Sequence, residues 1–218
     1  MPVVPKFRLI YFDLEGRAEV SRLMFLDANV NFEDHRISLD DWPQLKSTFP
    51  NEQLPVLEYN GKQLSQSDAI NRFLAKVFGY YGVNEWDCTR IDEIVSTFAD
   101  VVGQLVGVIL EENADSKASR VEKYNQVLEA HVYPLYHMLE TRLQAKENQH
   151  WLVGNDISLA DFVLFNVTWN LQHNKRFPDV ERFPVGDFNL LNLIYERVAS
   201  RPNLKDYLAS KKRKYLVN

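Results

Sequence analysis

Short alternating and apolar runs fill the first third of the chain, and helical spacing fills the rest. Phe7 to Phe12 has the length and apolar content of a buried strand, and Ala18, Leu23, Met24 and Leu26 mark a helix over 17–28. Phe32 to Ile37 reads as a second strand, so strand, helix and strand form a right-handed crossover with parallel strands. Residues 39–48 are polar around Trp42, Pro43 and Leu45 and predict a loop with at most a short helix. Val56 to Tyr59 and Lys62 to Leu64 flank Asn60-Gly61, the dipeptide of a two-residue hairpin, and Pro55 opens the first of these strands. A helix follows through Ala69, Ile70, Phe73, Leu74 and Val77. The first domain is therefore a four-stranded mixed sheet covered by helices.

No convincing strand pattern appears after Trp86. Gly79 to Asn84 has linker composition, and the stripe from Ile91 through Phe98 and Val102 to Ile109 predicts a long helix. A second long pattern spans 119–144, with a kink or break expected at Pro134. Ser158-Leu-Ala-Asp161 has the form of a capping box, with Ile157 placed to staple against Phe162. Shorter helices over 190–199 and 203–212 complete a helical bundle. The expected division is an α/β domain over 1–79, a linker over 80–86 and an all-helical domain over 87–218.

Composition narrows the function classes. A chain of 218 residues can bury a core without staples, and its one cysteine, Cys88, excludes an internal disulfide framework or a Cys-x-x-Cys centre. With no signal-like or membrane-length apolar run, a cytoplasmic protein without membrane partners is expected. A net charge of −5 offers no attraction to nucleic acid. The basic run Lys211-Lys212-Arg213-Lys214 reads as a solvated helix end, and the Asn166-Val167-Thr168 triplet lies in an apolar helical stretch and is discounted as a glycosylation acceptor.

The stretch from Gln53 to Ile70 carries the most chemistry. Pro55, the hairpin and the polar helix start Ser65-Gln66-Ser67-Asp68 follow in quick succession, and the free N–H groups of that helix start suit a carboxylate. The same residues also fit a purely structural reading in which Ser65 or Ser67 caps the helix.

Six motifs occur in one order along the chain: Leu9-Ile-Tyr-Phe12 with Gly16-Arg-Ala-Glu19, Asp41-Trp-Pro43 with Lys46, Gln53-Leu-Pro-Val-Leu57, Gln66-Ser-Asp-Ala-Ile70, Gly154-Asn, and Ser158-Leu-Ala-Asp161. In these the chain resembles the cytosolic glutathione S-transferases over essentially its whole length. The likeness is greatest to the sigma type, which includes prostaglandin D synthase-type and nematode enzymes. The resemblance implies a thioredoxin-like N-terminal domain and an all-α C-terminal domain. It also implies a homodimer, glutathione as substrate with no separate cofactor or metal, and an apolar electrophile as second substrate.

The resemblance assigns roles by position. Tyr11 becomes the catalytic tyrosine that stabilises the glutathione thiolate, and Arg17 the cation that assists it or holds its ring. Trp42 and Lys46 take the glycyl end, while Gln53, Leu54 and a cis Pro55 present backbone to the cysteinyl unit. Gln66 and Ser67 take the γ-glutamyl carboxylate. Asp100 reaches the ligand ammonium across a dimer interface, and its apolar neighbours Phe98, Val101 and Val102 imply that it needs a partner. Phe12, Leu14, Val102, Gly107 and Leu216 become candidate walls for the second substrate in an interdomain cleft. Gly107 replaces the bulky aromatic of the prostaglandin D synthase type, which opens the pocket and counts against that isomerase activity. Glu15 is an acid placed to compete for Arg17. A glutathione-dependent isomerase or peroxidase, or a carrier of haem or fatty acid, is the alternative implied by the same resemblance.

Overall fold

The computed structural model of the chain describes residues 7–110, 117–173, 180 and 182–210. Among these, residues 7–80 with 199–210 form one compact unit and 81–198 a second.

The first unit begins with β1 (Phe7–Phe12), α1 (Glu19–Asp27), β2 (Glu33–Ile37) and the single turn α2 (Trp42–Leu45). The hairpin β3 (Val56–Tyr59) and β4 (Lys62–Ser65) and the helix α3 (Ser67–Phe78) follow. The strands lie in the order β2-β1-β3-β4. Leu9 pairs in parallel with Asp34, as the predicted parallel strands require, and antiparallel with Leu57, while Leu57 pairs antiparallel with Leu64 across the predicted hairpin. Asn60 and Gly61 turn the hairpin at φ 50° and 74°, the left-handed pair that a two-residue turn needs.

Alternation along β1 divides the core. Ile10 packs with Ile37 and Val56 under Leu45, Phe49 and Leu54. Phe7 meets Phe25 edge-on at 5.2 Å, and Phe25 meets Phe78 in the same way at 5.3 Å. Burial of Leu23, Met24 and Phe25 contributes about 1.5–3 kcal/mol per side chain. Ser21 donates to Asn71 Oδ1 at 2.6 Å, which satisfies the buried polar atoms between α1 and α3.

The second unit opens with α4 (Glu85–Ile109), whose N-cap Asn84 accepts from the Asp87 N–H. Ile91, Ile94, Val95, Phe98, Val101 and Leu105 form its buried stripe, as the spacing predicts. The long pattern that follows becomes α5 (Lys117–Val127), a π-helical turn over Leu128–Val132, and α6 (Tyr133–Gln144). Pro134 explains the widened turn: it has no N–H to donate and its ring crowds the preceding turn, so the ladder loosens just before it. The apolar α7 (Leu159–Gln172) carries the predicted capping box, in which Asp161 Oδ2 accepts from the N–H and Oγ of Ser158, each at 2.8 Å. Within α7 Val167 and Thr168 are buried and Asn166 is half-buried, so the triplet lies in packed helix. Glu140 reaches from α6 to accept from the Leu190 and Leu191 N–H groups at the start of α8 (Asn189–Ala199).

The last described helix, α9 (Pro202–Ala209), groups with the first unit and packs on α1. Asp27 is the anchor, accepting from Tyr80 Oη at 2.7 Å and from Arg201 Nη2 at 2.8 Å. The basic run 211–214 and Leu216 lie outside the described residues. Among the described residues no helix is long and apolar enough to cross a membrane.

Candidate functional site

Tyr11 is one residue from the end of β1, where the chain leaves the sheet and turns into α1. Its ring is 7% exposed, and its hydroxyl oxygen accepts from the Arg17 N–H at 3.2 Å. Gly16 makes that approach possible. It has φ +46°, and a Cβ there would stand 2.6 Å from both Tyr11 Oη and Leu14 Cδ1. Arg22 holds the turn from α1: Nη1 donates to the carbonyls of Leu14 at 2.8 Å and Glu15 at 3.2 Å, and Nε donates to Asp34 at 3.0 Å. Its guanidinium carbon lies 5.9 Å from the centroid of the Tyr11 ring, while the Arg17 side chain is exposed.

Burial pushes the Tyr11 hydroxyl above its usual pKa, opposed in turn by the Arg17 N–H and by the charges of Arg17 and Arg22. The phenol therefore stays protonated at neutral pH, with a lone pair already engaged and its own proton available to an anion. Glu15 is 2% exposed, so its side chain and that of Arg17 occupy different environments.

Trp42 and Lys46 start and follow the short α2. The Trp42 ring meets Phe12 edge-on at 5.3 Å and stacks on Phe49 at 5.9 Å, which fixes it over this end of the sheet. Lys46 is exposed and its Nζ lies 3.4 Å from Glu52 Oε2. The peptide bond between half-buried Leu54 and buried Pro55 is cis, immediately before β3.

At the start of α3 neither serine acts as the cap. The N-cap position belongs to Gln66, at φ 75° and ψ 113°, and Ser67 is the first helical residue. A non-glycine residue in that region is strained, and such strain clusters at ligand sites. The Gln66 carbonyl accepts from Ile70 N–H at 2.9 Å, and its side-chain Nε2 donates to Gln53 Oε1 at 3.2 Å. The two predicted glutamines are thus brought together, and the first-turn N–H groups of α3 remain available to an anion.

Of the proposed apolar walls, Leu14 is buried and Phe12 half-buried in the first unit. In the second unit Val102 is half-buried, and a Cβ added at Gly107 would meet nothing within 4 Å. Asp100 is exposed on α4, beside the buried Phe98 and Val101. Gly16, Arg22 and Glu52 join the site in the structure, although no motif in the sequence assigns them a role there. The Glu19 and Arg22 spacing of i, i+3 on α1 was a signal for a buried charge pair, now seen at 3.2 Å.

The family model described as the glutathione S-transferase N-terminal domain matches residues 8–76, and the one described as the C-terminal domain matches 99–211. Glutathione S-transferase 3 of Caenorhabditis elegans is 34% identical, covering 94% of this chain and 96% of that protein. Human hematopoietic prostaglandin D synthase is 36% identical, covering 73% of this chain and 76% of its own length. A solved glutathione S-transferase of the hookworm Necator americanus, described as monomeric, superposes with a TM-score of 0.75 at 28% identity, covering 95% of this chain and 98% of that one.

Proposed function

The chain belongs to the glutathione S-transferase family, and from that premise we propose that it uses Tyr11 to hold glutathione as a thiolate for attack on apolar electrophiles. The observation that carries the reading is a buried, protonated phenol whose oxygen already accepts from the Arg17 N–H. Such a hydroxyl keeps its proton and donates a hydrogen bond to sulfur, which favours the anion over the thiol. The thiolate then forms a carbon–sulfur bond with the electrophile and the leaving group departs with the displaced electron pair. Arg22 supports the same atoms from behind, as a cation near the ring and as the donor that holds the 14–15 carbonyls.

The tripeptide is divided among separate anchors. Gln66, Ser67 and the free N–H groups of α3 suit the γ-glutamyl carboxylate. Leu54, turned by Pro55, offers backbone to the cysteinyl unit, with Gln53 beside it. Trp42 and Lys46 suit the glycyl end. Phe12, Leu14, Val102 and Gly107 are the proposed apolar contacts of the electrophile. In a homodimer, Asp100 of a second copy supplies the acceptor for the ligand ammonium. Glutathione serves as substrate, and this chemistry requires no metal.

Tyr11→Phe is the direct test. Loss of one charge-assisted hydrogen bond lowers kcat/KM for a chromogenic nitroaromatic chloride by about 10- to 100-fold. The wild-type rate should rise with pH through the bound thiol and then hold level. Tyr11 causes no descending limb at moderately alkaline pH, because its own ionisation lies above the ordinary value of 10.0. In Tyr11→Phe the ascending limb should move to higher pH. Unchanged turnover and an unmoved limb would remove Tyr11 from the chemistry.

A further inference from the structure

Lys46 is already engaged. Its Nζ lies 3.4 Å from Glu52 Oε2, with both side chains about half exposed at 49% and 59%. The turn that aims Glu52 is tightly specified. Asn51 and Glu52 are consecutive left-handed residues at φ 55° and 49°, Asn51 Nδ2 donates to Ser65 Oγ at 3.1 Å, and the Glu52 N–H donates to the Phe49 carbonyl at 3.1 Å. Asparagine tolerates that backbone region, whereas a longer side chain such as glutamate seldom adopts it. An acid therefore stands beside the one cation assigned to a ligand carboxylate, at a backbone position that would suit glycine.

We propose that Glu52 is an affinity-setting residue that competes with the glycyl carboxylate of glutathione for Lys46. The inference rests on the reading of Lys46 as the partner of that carboxylate. A lysine ammonium is a compact point charge with rotatable donors, and two carboxylates drawn to it repel each other. An incoming carboxylate must displace Glu52 or share the ammonium with it. Because the pair is exposed, the exchange is open to solvent and its effect is modest, about fivefold in affinity.

Dissociation constants for glutathione, and for glutathione amidated at the glycyl carboxyl, measured calorimetrically with the full chain, separate the possibilities. Glu52→Gln should bind glutathione about fivefold more tightly than wild type and bind the amide unchanged. KM for glutathione should fall with kcat retained, and added salt should shrink the gain. Glu52→Gly should behave as Glu52→Gln, since glycine accepts the left-handed backbone. Unchanged or weaker glutathione binding in both variants overturns the proposal, as does equal tightening of both ligands, which would mark a general field effect. Lys46→Met tests the premise separately. Equal affinity for glutathione and its amide is expected there, alongside a preference for glutathione in Glu52→Gln. If Lys46→Met instead keeps the full Glu52→Gln preference for glutathione, Lys46 is not the carboxylate partner and the inference falls with it.

Discussion

Gly16 is held between two demands at the turn after β1. Its φ of +46° is one that L side chains rarely adopt, and its missing Cβ is the space into which Tyr11 Oη and Leu14 Cδ1 project. Any side chain there must push back either the phenol or the turn that delivers the Arg17 N–H. Gly16→Ala should therefore retain the fold, with a stability loss of about 1–2 kcal/mol from the left-handed backbone, while displacing the hydroxyl from its donor. The expected signature is a fall of at least about tenfold in kcat/KM with only a few degrees off Tm. A variant as active as wild type would mean that the hydroxyl position is not critical to the reaction. Arg22 sharpens the same point. The resemblance makes Arg17 either the assisting cation or the holder of the ring; the guanidinium over the Tyr11 ring is that of Arg22, while Arg17 contributes its backbone N–H and an exposed charge.

Asp161 governs how the loop before α7 is closed. Fully buried, it accepts from the Leu152 N–H at 2.8 Å as well as from the Ser158 N–H and hydroxyl. Asp161→Ala leaves those buried donors without an acceptor, so unfolding by denaturant should show a loss of about 2–4 kcal/mol. A variant within the error of wild type would show that water replaces the carboxylate. This box was legible in the sequence because capping is a local code of residue type and spacing. The Asn60-Gly61 hairpin and β1 were legible for the same reason, their signals lying within a few residues. The start of α1 was not. Helix was expected from Arg17, but Gly16–Ala18 is a 3-10 turn and α1 begins at Glu19, because Arg22 pins the 14–15 carbonyls from within the helix. The α3 cap was open between two serines, and the strained Gln66 took it. Nothing in the apolar spacing of α9 foretold that Asp27 would hold its start through Arg201 and Asn203. At the site, the motif residues were legible as a set, whereas the pairing of Lys46 with Glu52 depends on a turn whose left-handed geometry residue type alone would not have favoured.

At the scale of the molecule, every proposed glutathione contact but one lies in the first unit, and the exception, Asp100, is exposed on α4 of the second. An exposed acid needs no partner within its own chain, so its charge is available to a second copy. If the chain dimerises, hybrid assemblies test this directly. Co-express a Tyr11→Phe chain and an Asp100→Asn chain with different tags and purify the mixed dimer. If Asp100 serves the site of the other copy, one site in the hybrid carries both lesions and the other carries none, so turnover should approach about half that of wild type. If Asp100 serves its own copy, each site carries one lesion and the hybrid is no more active than the mean of the two parents. The hookworm relative described as monomeric makes the assembly state a measurement to take first. A chain that stays monomeric by light scattering at assay concentration, yet loses affinity for glutathione on Asp100→Asn, would place that contact within one copy and end the case for a shared site.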